Sequence, residues 1–166
     1  IAAIRSSSLA RSIPRNNAPG LKLCPWLMKR GPLGPSILIG FVQSHFKDLV
    51  QTQHFLNQLP DAPKSYLAPG LHPVYIEQHQ ASHLADLERL LTTEACVAIG
   101  EIGLDTFLKQ HKQADIFQKQ QDYFSAQLEL AQQFHKPVLL HIRKSHAETL
   151  AILKQHQFKL GGIAHA

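Results

Sequence analysis

The chain has 166 residues, 44% apolar and 17% charged. That is enough apolar sequence for one packed unit, and it excludes wholesale disorder, collagen and coiled coil. No apolar run approaches the ~20 residues of a membrane-spanning helix, so no membrane partner is expected. The net charge of +5 is unevenly placed: Arg5, Arg11, Arg15, Lys22, Lys29, Arg30 and Lys47 precede the first acid, Asp48, and the rest holds ten bases against twelve acids. Overall charge therefore gives no argument for a nucleic-acid interface. Cys24 and Cys96 show neither CxxC spacing nor disulfide density, as expected of a reducing compartment and a cytoplasmic location.

Residues 1–35 are rich in Arg, Ser, Pro and Gly, hold five of the ten prolines and contain no histidine. Three readings stay open for them: a transit peptide, a basic arm that touches nucleic acid, or sequence foreign to the fold from a truncated or shifted reading frame. In each case no fixed structure is expected, and the folded domain is placed at 36–166.

From residue 36 the pattern becomes regular. Residues 36–42 read as a buried strand, 45–58 as a helix ending before Pro60, and 66–68 as a short strand leading into Gly70-Leu71-His72-Pro73. A helix fits 82–93 with Ser82 as cap, and a strand at 96–99 leads into Gly100-Glu101-Ile102-Gly103. A long helix fits 113–134, with Phe117, Phe124, Leu128, Ala131 and Phe134 on one face and Gln-rich positions over the rest. A strand at 137–142 follows, then a helix at 145–156 opening on a Ser145/Glu148 capping box, then a strand at 161–164. Alternation of this kind predicts a parallel α/β sheet with right-handed crossovers. Both an open doubly wound sheet and a β/α barrel remain possible, although no GxGxxG or GxxxxGK[ST] loop supports nucleotide binding.

The polar residues sit at strand ends. Glu101 follows the predicted strand at 96–99, His141 and His165 close theirs, and parallel strands bring their carboxyl ends to one edge. A carboxylate with two imidazoles is a sound ligand set for Zn²⁺, Mn²⁺ or a related ion. His72 falls on the same rim. Arg143 could clamp a phosphate or carboxylate or pair with Asp105 or Glu101, and Asp105 could orient an imidazole. The glycines flanking Glu101 allow a sharp turn or close approach. The other histidines, His45, His54, His79, His83, His111, His135, His146 and His156, read as surface groups, and Cys96 as a small core residue.

The motifs Gly70-Leu71-His72-Pro73, Gly100-Glu101-Ile102-Gly103-Leu104-Asp105, Leu140-His141-Ile142-Arg143 and Gly162-Ile163-Ala164-His165 resemble, in order and spacing, the TatD family of metal-dependent deoxyribonucleases over residues 37–166. The resemblance implies a TIM (β/α) barrel of the metal-dependent hydrolase type. It also implies a site for divalent metal, Mg, Mn or Zn with up to two ions, and hydrolysis of phosphodiester bonds in DNA or another phosphoester. By match, Glu101 is the catalytic, metal-bridging carboxylate, and His141 and His165 are metal ligands. Arg143 and His72 are expected to touch substrate phosphate. No motif points to a protein partner. The chain departs from the family in lacking an early T-H-x-H strand and a late T-D-x-P, and it supplies about five of eight barrel strands. It therefore reads as a fragment with little or no nuclease activity of its own. The alternatives are a non-catalytic remnant and a basic-tailed nucleic-acid-binding module.

Overall fold

A computed structural model describes residues 36–60 and 64–165, so the readings of 1–35 and of Cys24 lie outside the described residues. Nine principal elements alternate along the chain: β1 Ser36–Gly40, α1 Phe46–Gln58, β2 Ser65–Pro69, α2 Ala81–Thr93, β3 Ile99–Asp105, α3 Ala114–Gln133, β4 Val138–Arg143, α4 His146–Gln155 and β5 Gly162–His165. Short 3-10 turns at Gln43–His45, Pro73–Gln78 and Gln110–Lys112 lead into α1, α2 and α3.

All strand pairs are parallel. β1 pairs with β2, and β3 with β4 and β4 with β5. A single bridge between Leu67 and Cys96, with the Val97 amide donating to the Leu67 carbonyl at 2.8 Å, joins the two groups. The strands therefore follow one another in chain order, as in the wall of a β/α barrel, with α1 packed on β1 and β2, α3 on β3 and α4 on β4. This is a partial TIM-type barrel of five strands. Among the described residues no helix is long and apolar enough to cross a membrane.

The core forms where the alternation predicts it. Leu38, Leu67, Ile99, Ile102, Leu104 and Val138 from the strands meet Leu49, Leu56, Leu87, Leu91, Phe124, Leu128 and Ala131 from the helices. Cys96 lies among them, and burial pushes its thiol up to about 11. On β5, Ile163 is 65% exposed.

Local signals were overridden at five places. α2 is capped by Gln80, whose side chain and that of His83 bond each other's backbone, so Ser82 lies inside the helix. Ser145 stands at the N-cap of α4 but its side chain makes no cap bond; the hydroxyl instead donates to the Leu104 carbonyl at 2.8 Å, because a buried carbonyl near the end of β3 is within reach. His79 and His111, read as surface groups, are 2% and 0% exposed. Glu101 does not follow the third strand but lies inside it, since β3 runs through to Asp105.

That last difference has a specific cause. Gly100 is opposite Leu139 and Ile102 is opposite Leu140, so Glu101 is an extra residue in the ladder. The bulge turns a carboxylate out of the hydrogen-bond register while the strand continues. Two glycines make the geometry possible. A Cβ on Gly100 would lie 2.4 Å from Leu139 Cβ, and one on Gly103, where φ is +136°, would lie 2.2 Å from the His141 carbonyl oxygen. Gly103→Ala is therefore expected to destabilise the chain by about 3 kcal/mol, since backbone strain and overpacking act together. Denaturant titration of the two proteins checks this, and an unchanged midpoint would contradict it.

Candidate metal centre

The rim at the carboxyl ends of the strands gathers His72, Glu101, Asp105 and His141. His72 follows β2 in the Gly70-Leu71-His72-Pro73 segment, where Pro73 starts the 3-10 turn and the His72 Nδ1 accepts from the Val74 amide at 3.2 Å. The bulge supplies Glu101, and β4 supplies His141. One nitrogen from each of His72 and His141 and one oxygen of Glu101 all lie within 4.8 Å of one another. His72 Nε2 is 3.4 Å from Glu101 Oε2, and the two imidazole centroids are 4.4 Å apart. His72 is 6% and Glu101 8% exposed, so the donors stand largely out of water. Two imidazoles and a carboxylate at this spacing suit a divalent transition ion or Mg²⁺-like cation.

Hydrogen bonds fix the state of each ring. Asp105 is 1% exposed. Its Oδ2 accepts from His141 Nε2 at 2.8 Å and its Oδ1 from the Phe107 amide at 2.8 Å, so both oxygens are committed. The bond places the His141 proton on Nε2 and leaves the Nδ1 lone pair for a cation. Burial, aided by His72, lowers the His141 pKa against the opposing pull of Asp105 and Glu101. A neutral imidazole is the form a metal requires. His72 differs: with Nδ1 accepting from Val74, its neutral ring carries the proton on Nε2, facing Glu101.

His165 ends β5 in register with His141, which puts its backbone on the same rim beside that residue. Its side chain lies outside what is described. Arg143 is exposed, and its guanidinium lies 3.6 Å from the Phe107 ring centroid, with Lys144 Nζ at 5.0 Å. The two Asp105 oxygens are taken by His141 and the Phe107 amide.

The sequence reading missed the residues behind the rim. His79 accepts the Lys119 ammonium on its carbonyl at 2.8 Å and donates from Nε2 to the His72 carbonyl at 2.9 Å. Burial lowers its pKa to about 4. Gln120 and Gln127 of α3, read as part of a solvated face, are each 1% exposed. They share a helical stripe with Phe124, Leu128 and Ala131, and that spacing was the signal available for them.

Comparison with known proteins agrees with this geometry. The sequence model described as TatD related DNase matches residues 37–166. An uncharacterized metal-dependent hydrolase of Haemophilus influenzae is 37% identical over 98 residues, covering 58% of this chain and 37% of that protein. The protein of Edwardsiella piscicida named 3'-5' ssDNA/RNA exonuclease TatD is 35% identical over 123 residues, covering 74% of this chain and 45% of its own. The crystal structure of the TatD homolog YjjV from Escherichia coli superposes with a TM-score of 0.66 at 30% identity, over 78% of this chain and 47% of that one. A TatD family hydrolase of Entamoeba histolytica shares the fold with a TM-score of 0.67 at 24% identity, over 80% of this chain and 44% of that one. The chain thus spans less than half the length of these relatives. With the family match running from β1 through the rim motifs to the last residue, the chain belongs to the TatD family.

Proposed function

We propose that the chain is part of a divalent-metal-dependent hydrolase of phosphodiester bonds, with single-stranded nucleic acid as its substrate. The observation that carries this reading is the buried group of Glu101 and His141 at the rim, with Asp105 bonded to the far nitrogen of the imidazole. A carboxylate–histidine pair of that kind is the usual support of a metal-ligating ring. A divalent ion held there would supply Lewis-acid polarisation of a phosphoryl oxygen and activation of water. Mg²⁺, Mn²⁺ and Zn²⁺ all suit the donor set. The named exonuclease activity of the Edwardsiella relative supports the choice of substrate class. A cytoplasmic setting belongs to the same proposal, and Cys96 as a buried free thiol is in keeping with it.

The side chains divide into distinct roles. Glu101 and His141 Nδ1 would hold the ion, and His165, next to His141 in register, is the third proposed ligand. The His72 Nε2 proton faces Glu101, and a substrate phosphate arriving at the rim would take it over as acceptor in place of that carboxylate. Arg143 is preset by its stack on Phe107, which is 45% exposed. Phe107 thereby offers an aromatic surface between two cations, Arg143 and Lys144. Phe41 and Tyr75, packed around His72 with centroids 5.1 and 6.1 Å away, extend that aromatic lining. Cations interleaved with exposed rings are how single-stranded nucleic acids are held without sequence preference.

Calorimetric titration with Mn²⁺ tests the assignment of ligands. Glu101→Gln and His141→Gln are expected to abolish measurable binding, and Asp105→Asn to weaken it by roughly 10–100-fold. His72→Gln, which keeps a donor, should leave the affinity close to that of the unsubstituted chain. Loss of binding in His72→Gln equal to that in His141→Gln would make His72 a ligand instead.

The substrate class is tested with a single-stranded phosphorothioate oligonucleotide in the presence of Mn²⁺. Phe107→Ala should weaken binding by about tenfold, as expected for one lost stacking partner. Arg143→Ala should weaken it and lower the salt slope by about one. Equal binding by both variants would exclude this surface. On ordinary single-stranded and duplex DNA the 166 residues are expected to show little or no turnover, and turnover abolished by Glu101→Ala would overturn that expectation.

A further inference from the structure

We propose that Gln120 and Gln127 are positioning residues, and that α3 fixes the two separate rim segments to one another before any ion arrives. The inference rests on the metal reading above. Gln127 accepts from the Leu71 amide through Oε1 at 2.7 Å and donates through Nε2 to the Leu71 carbonyl at 3.2 Å. Gln120 does the same to Asp105: its Oε1 accepts from the amide at 2.8 Å and its Nε2 donates to the carbonyl at 3.0 Å. Each side-chain amide thus forms a closed pair of bonds with one backbone residue, as a neighbouring strand would. The two gripped residues are the ones that matter at the rim. Leu71 precedes His72, and Asp105 orients His141.

Three features make this more than ordinary satisfaction of buried groups. Both glutamines lie on one helix seven residues apart, so a rigid rod of about two turns sets the separation of the two anchors. Each amide is buried, where a two-point bond fixes direction as well as distance. α3 also reaches the same segment a second way, since Tyr123 stacks on His79 at 5.6 Å and His79 donates to the His72 carbonyl. Leu71 belongs to the β2 side of the sheet and Asp105 to β3, and among the described residues the strand pairing between those two sides is the bridge at Leu67 and Cys96. The helix therefore supplies the registration that strand pairing does not.

The test separates positioning from plain stability. Thermal unfolding of the full chain is followed without metal and with saturating Co²⁺, and Co²⁺ affinity is measured from the visible absorption of the bound ion. Gln120→Met keeps volume and removes both bonds to Asp105. It should weaken Co²⁺ binding by roughly tenfold or more, in the range seen for groups behind metal ligands, and shrink the metal-induced rise in Tm. Gln118→Met, an exposed glutamine on the same helix, should change neither. A fall in Tm without metal, together with an undiminished Co²⁺ affinity and metal-induced rise, would reduce Gln120 to a structural role and overturn the proposal. Hydrogen exchange in the unsubstituted, metal-free chain provides a measurement that needs no variant to fold. The Leu71 and Asp105 amides should exchange as slowly as that of Phe124 in α3, and exchange at the rate of unstructured amides would refute the preset clamp. Absence of Co²⁺ binding by the unsubstituted chain would instead strike the metal reading, with the exchange rates still deciding whether the clamp exists.

Discussion

Parallel pairing is the constraint on which the site depends. Because β1 through β5 all run the same way, every strand delivers its last residues to one rim, and every return must cross the sheet as a helix. Residues far apart in sequence, such as His72 and His141, then stand with ring centroids 4.4 Å apart. An antiparallel arrangement of the same segments would split these groups between two ends of the sheet. The chemistry follows from polarity first and from individual side chains second.

Within that rim, burial and hydrogen bonding select protonation states. Asp105 and His141 form a pair in which the carboxylate holds one nitrogen and burial keeps the ring neutral. Val74 selects the same tautomer at His72 by donating to its Nδ1, but in doing so it uses that lone pair. Two imidazoles a few ångströms apart are thereby given different capacities, one with its Nδ1 lone pair open and one with it taken and an Nε2 proton turned toward Glu101. Without the Val74 amide and the Asp105 carboxylate the two rings would be chemically interchangeable.

Much of this was legible in the sequence, because period and position carry strong physical signals. The apolar stripe of Phe124, Leu128 and Ala131 specified α3 and its buried face, and strand-end placement singled out Glu101, His141 and His165, with His72 on the same rim. The rest depended on contacts that no local pattern encodes. The bulge at Glu101 exists because β3 keeps pairing with β4 beyond Gly100, and only the partner strand reveals that. Ser145 left its expected capping role for the Leu104 carbonyl, which is 41 residues away in sequence. Gln120 and Gln127 looked like solvated positions because polarity was weighed more heavily than their place on the apolar stripe. Once two backbone residues are in reach, a buried amide is as well satisfied there as in water.

The seam between β2 and β3 has a mechanical meaning. A two-strand piece and a three-strand piece meet at one bridge, Leu67 to Cys96, so the wall is weakest to shear along that line. Sliding there would carry His72 past Glu101 without breaking a strand pair in either piece. The glutamine struts from α3 span that line, like a splint across a joint, with Gln127 on Leu71 and Gln120 on Asp105, and so would oppose such sliding.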